Sequence, residues 1–163
     1  MRSIRALLPV LLAVAGASPL AAQSSATAEQ EVRQVVEKLF NGMRAGDSTA
    51  VRSTFHPQAR LQTTTLRQGE PVMRTDSMDA FVRAVGTPHA EVWDERVSNL
   101  EIRTDGELAT AWMDYAFYRG NTFSHCGVNA LQLFRSKEGW KIIQIADTRR
   151  RECPRIPGAR PAQ

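Results

Sequence analysis

The chain has 163 residues, 21 of them basic and 17 acidic, and a formal net charge of +4 at pH 7. Its length suits one domain. Arg2 and Arg5 account for +2 of this charge and the tail from Arg149 onward for a further +4, which leaves the segment 23–148 at about −2. A domain without a basic face is a poor match for the phosphate backbone, so we expect no nucleic-acid binding.

The first 22 residues are typical of a secretory signal peptide. Arg2 and Arg5 precede a short apolar run over 6–17, and small residues end at Ala22. The run is too short to span a membrane, and no cysteine follows Ala22 to carry a lipid, so we expect no membrane anchor. We therefore expect residues 1–22 to be removed and a periplasmic or secreted product with one domain over 23–153. The Arg/Pro-rich residues 154–163 are predicted to be disordered.

The first half of the chain predicts three helices. A capping box at Thr27 and Gln30 precedes an apolar stripe of helical spacing over 32–43, and Gly46 ends this helix. Asp47 caps a short second helix that ends before His56-Pro57. A strand over 59–66 and an edge strand over 71–75 follow. A third helix, capped by Asp76 or Ser77, covers 78–85.

The second half predicts four antiparallel strands over 91–104, 107–118, 122–136 and 140–148, each rich in β-branched and aromatic residues. We expect a two-residue loop at Gly120-Asn121 and three-residue loops at 137–139 and after Asp105. A two-residue loop at Asp105-Gly106 would place Glu101 and Arg103 among aliphatic side chains, which is unfavourable for unpaired charges.

These loop lengths decide which side chains share a face, because side chains alternate along a strand. They place an aliphatic group and a polar group on one face, which we call the predicted site face. The aliphatic group is Leu108, Leu131, Leu133, Ile143 and Ile145. The polar group is Trp112, Asp114, His125, Asn129, Asp147 and Arg149. Gly127 lies at the centre of the polar group, and Arg96 of the preceding strand lies near Asp114. An apolar floor beside convergent polar groups is typical of a small-molecule pocket. The alternative is a solvated sheet face.

Two cysteines, Cys126 and Cys153, lie in a chain with an export signal. The predicted register sets Cys126 opposite Arg150, on the face away from the predicted site face. A bond to Cys153 then requires the chain to curl back near Pro154. An intrachain disulfide and two reduced thiols both remain open.

Several segments together resemble a known superfamily. They are the order of elements, residues 40–55 and 109–148, and the motifs Trp112-x-x-Tyr115-x-Phe117, Ser124-His125-Cys126-Gly127, Trp140-Lys141-Ile142 and Asp147-Thr148-Arg149-Arg150. The chain resembles the nuclear transport factor 2-like superfamily, in particular its exported "putative lumazine-binding" and SnoaL-like branch. The resemblance implies an α+β cone, with a curved, mostly antiparallel sheet and three helices packed on its concave face.

Two functions are open on this basis. The first is an exported binder of a small, flat organic ligand held by Trp112, Asn129, Asp147, Arg96 and Arg149. The second is a lyase or isomerase that transfers protons with Asp114 and His125. Arginines beside Asp114 would lower its pKa and make it a poor base, which favours the binder. No metal-ligand spacing or nucleotide fingerprint is present, and we expect no cofactor.

The face opposite the predicted site face carries small and apolar residues: Ala109, Ala111, Ala130 and Ala146, with Met113, Val128 and Ile142 near them. Small residues allow two sheets to approach closely. Because relatives that the chain resembles often pair through this face, we expect a homodimer. The alternative is a monomer whose tail covers the face.

Overall fold

The computed structural model describes residues 19–153, with side chains from residue 25. Its elements are α1 (Pro19–Ala45), α2 (Ser48–Thr54), β1 (Phe55–Arg67), β2 (Glu70–Asp76), α3 (Met78–Gly86), β3 (Trp93–Asp105), β4 (Leu108–Arg119), β5 (Thr122–Ser136) and β6 (Gly139–Thr148). The strands form one sheet in the order β2-β1-β6-β5-β4-β3, antiparallel except for β1 beside β6. The predicted α+β fold, with three helices on the concave face of a curved, mostly antiparallel sheet, is confirmed. Nearly all of the predicted signal peptide and the whole predicted tail lie outside the described residues.

The helices begin and end largely as their sequence dictates. Gly46, with φ +68, follows the last turn of α1, and the Asp47 carboxylate accepts a hydrogen bond from the Ala50 N–H at 2.9 Å. Ser77, one of the two predicted caps, caps α3. The predicted start at Thr27 is wrong, because the helix already runs from Pro19 through alanine-rich sequence that favours helix.

The main hydrophobic core lies between α1, α2, α3 and the concave face of the sheet. Val32, Val36 and Leu39 of the α1 stripe are buried there. The β4 side chains that meet them are an unbroken alternating set: Ala109, Ala111, Met113, Tyr115 and Phe117. This set is the opposite face of β4 from the one predicted to form the site.

A β-bulge is the reason for this inversion. The two-residue loop Gly120-Asn121 occurs as predicted, and Tyr118 pairs with Phe123. Ser124 is then an extra residue in β5, so the next pair is Phe117 with His125. A shift of one residue turns the other side of β4 inward, and Leu108, Thr110, Trp112 and Asp114 lie on the convex face.

The other two loops differ from prediction as well. The β5–β6 loop has two residues, Lys137 and Glu138, but a bulge at Ile143 restores the predicted register, and Asn129 pairs with Asp147. Ile143 itself leaves the aliphatic group and lies against a depression on the convex face. Ile145 packs against the core as predicted.

The β3–β4 loop also has two residues rather than three, because Asp105 pairs with Leu108. Leu100 and Ile102 nevertheless pack on the core. They do so because β4 is inverted, so Ile102 meets Ala111 instead of a residue of the predicted site face.

The predicted dimer face is divided by the inversion of β4 and, at Ile142, by the bulge in β6. Ala109, Ala111, Met113 and Ile142 are in the core and cannot contact another molecule. Ala130 lies opposite the exposed Trp112 on the convex face, and both line a second depression there together with Ala146. The prediction of a four-alanine contact surface is wrong.

The chain after β6 returns to β5. Cys126 and Arg150 form an isolated antiparallel bridge, the pairing expected from the sequence. A disulfide joins Cys126 to Cys153, with 6.3 Å between their Cα atoms. Both cysteines are buried in a small second cluster on the convex side, with Ala116 and Tyr118. Across residues 19–153, helices long and apolar enough to cross a membrane are absent.

Candidate functional site

A cavity of about 390 Å³ opens on the concave side between α1, α3 and the sheet. One part of its wall is apolar and includes Phe40 and Met43 of α1, Phe81 and Ala84 of α3, and Trp93, Phe117 and Ile145 of the sheet. The other part is polar and includes Thr63, Glu95, Tyr115, His125, Asn129, Asp147 and Arg149, with Arg74, Asp76 and Arg119 also lining it. An apolar wall with a few convergent polar groups is the usual form of a small-molecule site.

Four of the predicted site residues meet in this cavity: His125, Asn129, Asp147 and Arg149. All four belong to β5 or to β6 and the residue after it, the part of the sheet whose register was predicted correctly. The observation places their side chains together and does not by itself assign them a role.

The other three predicted site residues lie elsewhere. Trp112 is 56% exposed on the convex face. Asp114, on the same face, accepts a hydrogen bond from the Asn99 side chain at 2.8 Å. Arg96 pairs with Asp94 at 2.7 Å and lies 4.1 Å from the ring centre of Tyr118. The predicted convergence of these residues with His125 is therefore wrong.

Asp147 is the centre of the polar wall. Its carboxylate accepts hydrogen bonds from the Thr63 hydroxyl at 2.6 Å, the Arg149 Nε–H at 2.9 Å and the Tyr115 hydroxyl at 3.2 Å. Burial works to lower the pKa of Arg149, but the Asp147 carboxylate outweighs it and raises that pKa. Burial, reinforced by the charge of Asp147, raises the pKa of Tyr115, which stays a neutral hydrogen-bond donor.

Glu95 is a second carboxyl group beside this network. The amide of the buried Asn129 donates a hydrogen bond to it at 2.7 Å. Glu95 retains some accessible surface because it faces the cavity, but protein surrounds it on the other sides. Burial, helped by the charge of Asp147 and opposed by Asn129 and Arg149, raises the pKa of Glu95 to about 7. This carboxyl group can therefore gain or lose a proton near neutral pH.

His125 lies between aromatic rings. Its ring centre is 5.1 Å from that of Phe117 and 5.8 Å from that of Tyr115, and its Nδ1 is 3.0 Å from the Ser124 hydroxyl. Burial, with the nearby charge of Arg149, lowers its pKa to about 4. The imidazole is neutral at physiological pH and can donate one hydrogen bond and accept another.

Gly127 allows the end of β6 to approach β5 closely. A Cβ atom at this position would overlap the carbonyl group of Thr148. Because that carbonyl can come so near, it accepts a hydrogen bond from the Tyr115 hydroxyl at 2.9 Å. Gly127 lies at the centre of the polar group predicted from sequence, and its missing side chain leaves space for the backbone of β6.

The cavity residues that sequence reasoning did not assign to a site include Thr63, Trp93, Glu95, Tyr115, Phe117 and Arg119. The sequence did contain a signal for Tyr115 and Phe117. The residues that share their side of the strand, Ala109, Ala111 and Met113, are all apolar, whereas the other side of the strand contains Thr110 and Asp114. Among residues 19–153, groups of three or more His, Cys, Asp or Glu side chains that could hold a metal ion are absent.

Several solved structures share this architecture. A Novosphingobium aromaticivorans NTF2-like protein with a cystatin-like fold matches with a TM-score of 0.63 and 16% identity, over 83% of this chain and 90% of that one. A Mycobacterium tuberculosis protein of unknown function matches with a TM-score of 0.64 and 13% identity, over 83% of this chain and 78% of that one. A Streptomyces avermitilis protein, described as a putative dehydratase from the NTF2-like family, matches with a TM-score of 0.57 and 13% identity, over 77% of this chain and 97% of that one.

These identities are low, so the structural matches establish the NTF2-like cone fold alone. The sequence profile of the family described as "putative lumazine-binding" matches residues 27–146, and the chain belongs to this family. No curated protein matches the chain.

Proposed function

We propose that this protein binds a small, flat organic molecule in its concave cavity. The proposal rests on one observation: aromatic side chains line the same cavity as the hydrogen-bonding groups of Glu95, Asn129, Tyr115 and Asp147. Aromatic walls favour a planar ligand through stacking and burial, and the polar groups fix its orientation. The family description supports a lumazine-like bicyclic ring as one such ligand.

The test is a calorimetric titration with lumazine and other planar one- to three-ring compounds. Ala84→Trp should fill the cavity and remove binding, because Ala84 lines it from α3. Trp112→Ala is the matched control on the convex face and should leave the affinity within about twofold of wild type. Binding that survives Ala84→Trp and disappears with Trp112→Ala would refute the proposal, as would a panel in which no compound binds.

Proton transfer is the second candidate, and one observation favours it. Glu95 has a pKa of about 7, the value expected of a general base that works at neutral pH, and it faces the cavity. In this version Glu95 takes the role first predicted for Asp114.

Hydrogen–deuterium exchange of a bound ligand, followed by NMR in D₂O, separates the two candidates. An enzyme should accelerate exchange of an acidic C–H of a planar ketone. Glu95→Gln should abolish the acceleration, and Asp114→Asn should leave it unchanged. Exchange at the uncatalysed rate in wild type, with binding intact, leaves binding alone as the function.

Export belongs to the proposal as well. It rests on the n-region, the apolar run and the small residues before Gln23. N-terminal sequencing of protein from a cell-envelope fraction should begin at Gln23, and an intact Met1 there would overturn it.

A homodimer through the convex face is also proposed, in revised form. The exposed indole of Trp112, flanked by the small residues Ala130 and Ala146, offers an apolar surface for a second sheet. Light scattering at micromolar concentration should give twice the chain mass, and Trp112→Glu should reduce it. A monomer mass in wild type would contradict the dimer.

A further inference from the structure

The charged groups that line the cavity are not balanced. Arg149 is paired with Asp147 at 2.9 Å, and Arg74 is paired with Asp76 at 2.7 Å. Arg119 lines the same cavity, and no carboxylate of the described residues 19–153 forms an ion pair with it. With Glu95 protonated, the cavity wall therefore carries one uncompensated positive charge, that of Arg119.

The sheet register fixes where this charge lies. Arg119 is directly opposite Trp93, and Glu95 is directly opposite Phe117, across the β3–β4 pairing. Directly opposed residues of an antiparallel pair share a face, and diagonal neighbours have Cα atoms about 7–8 Å apart. The rings of Trp93 and Phe117 thus lie between the Arg119 position and the hydrogen-bonded Glu95–Asn129 pair.

The aromatic surface at this point is preorganised. Trp93 is stacked on His89 with 4.0 Å between ring centres, and the His89 ring is held at 2.8 Å from the Ala84 carbonyl oxygen. Phe117 meets Trp93 edge to face at 6.1 Å. A planar ligand can rest on these rings without having to order them first, which reduces the entropic cost of binding.

We propose that the cavity takes a planar organic anion, with a carboxylate or a similar group at Arg119. Its rings lie against Trp93 and Phe117, and its far edge forms hydrogen bonds with Glu95 and Asn129. This proposal rests on the function proposed above and narrows the ligand to one charge class.

The chemistry of the groups supports an anion over a cation. A guanidinium binds a carboxylate through two parallel hydrogen bonds, and such charge-assisted bonds are stronger than neutral ones. The neutral His125 beside Arg119 adds no competing charge, because its pKa is lowered to about 4. The carboxylates of Asp147 and Asp76 are already paired, so while Glu95 is protonated the wall offers no free carboxylate for a cationic ligand.

The test compares planar acids with their neutral amides, with 2-naphthoate and 2-naphthamide as the first pair. Binding is measured by calorimetry at pH 6, where Glu95 is largely protonated. The variants are Arg119→Gln and Arg119→Lys, with Arg103→Gln as the matched control. Arg103 is also an exposed arginine without an ion pair among the described residues, but it lines a depression on the convex face.

We expect acids to bind wild type at least about tenfold more tightly than their amides. Arg119→Gln should remove this preference, Arg119→Lys should retain part of it, and Arg103→Gln should leave it unchanged. Equal affinity of acids and amides, or a preference that survives Arg119→Gln, would overturn the anion proposal and leave the binding function standing. Failure of both members of every pair to bind wild type would count against the binding function as well.

Discussion

Gly127→Ala is expected to lower the free energy of unfolding by more than about 3 kcal/mol. The new methyl group would overlap the Thr148 carbonyl, which belongs to the rigid backbone at the end of β6 and cannot turn aside as a flexible side chain can. The end of β6 would have to move, which would break the Tyr115–Thr148 hydrogen bond and shift Asp147. Urea denaturation followed by tryptophan fluorescence measures the loss.

Gly69→Ala is the control for this substitution. Gly69 has φ +86 in an exposed turn, and a Cβ there would meet no atom within 4 Å. The strain of an alanine in this conformation is worth about 1 kcal/mol. Equal losses for the two variants would contradict the close approach of β6 to Gly127.

Glu95→Gln is expected to stabilise the protein by about 2–3 kcal/mol at pH 8 and to change its stability little at pH 4. The wild-type carboxyl group has a pKa of about 7 in the folded state, against the ordinary glutamate value of 4.5 in the unfolded chain. Between these values the folded state binds a proton that the unfolded state has lost, so stability falls as the pH rises from about 4.5 to 7. The glutamine remains neutral and can still accept the Asn129 hydrogen bond.

The pH profile of wild type alone would not isolate this effect. His125 has its folded pKa lowered to about 4, so its contribution to stability is present above its unfolded value of 6.5 and is lost as the pH falls toward 4. The two groups act in opposite directions over the same range. The His125 contribution cancels when the free energy of unfolding of wild type is subtracted from that of Glu95→Gln at each pH. A difference in this free energy that stays constant from pH 4 to 8 would refute the raised pKa of Glu95.

The fold was predictable from sequence because its signals are local and agree with one another. The stripe over 32–43, the stop at Gly46 and the cap at Asp47 each specify one helix or its end. The strands and their order follow from β-branched and aromatic segments separated by turns, and from the resemblance that those segments carry. The prediction of these helices and strands does not depend on the register in which neighbouring strands pair.

The site was predictable only where the register was. The half formed by His125, Asn129, Asp147 and Arg149 lies in the cavity, although the β5–β6 loop was one residue shorter than predicted. The bulge at Ile143 offset the error in that loop. A bulge has no clear sequence signature, so this agreement could not have been known in advance.

The bulge at Ser124 had the opposite effect on β4. It turned Trp112 and Asp114 outward and brought Tyr115 and Phe117 inward, although the loop itself was predicted correctly. The apolar alternation from Ala109 to Phe117 was the better guide, since burying that set places no charged side chain in the core, whereas the neighbouring set contains Asp114. Glu95 could not have been identified from sequence, because its raised pKa depends on burial beside Asn129 and Asp147.

A crystal structure of the protein with a planar compound from the titrations tests the central claim most directly. We expect the compound to lie in the concave cavity, with its rings against Trp93 and Phe117 and a polar edge within hydrogen-bond distance of Glu95 or Asn129. A compound bound on the convex face at Trp112, with the concave cavity empty, would contradict this claim.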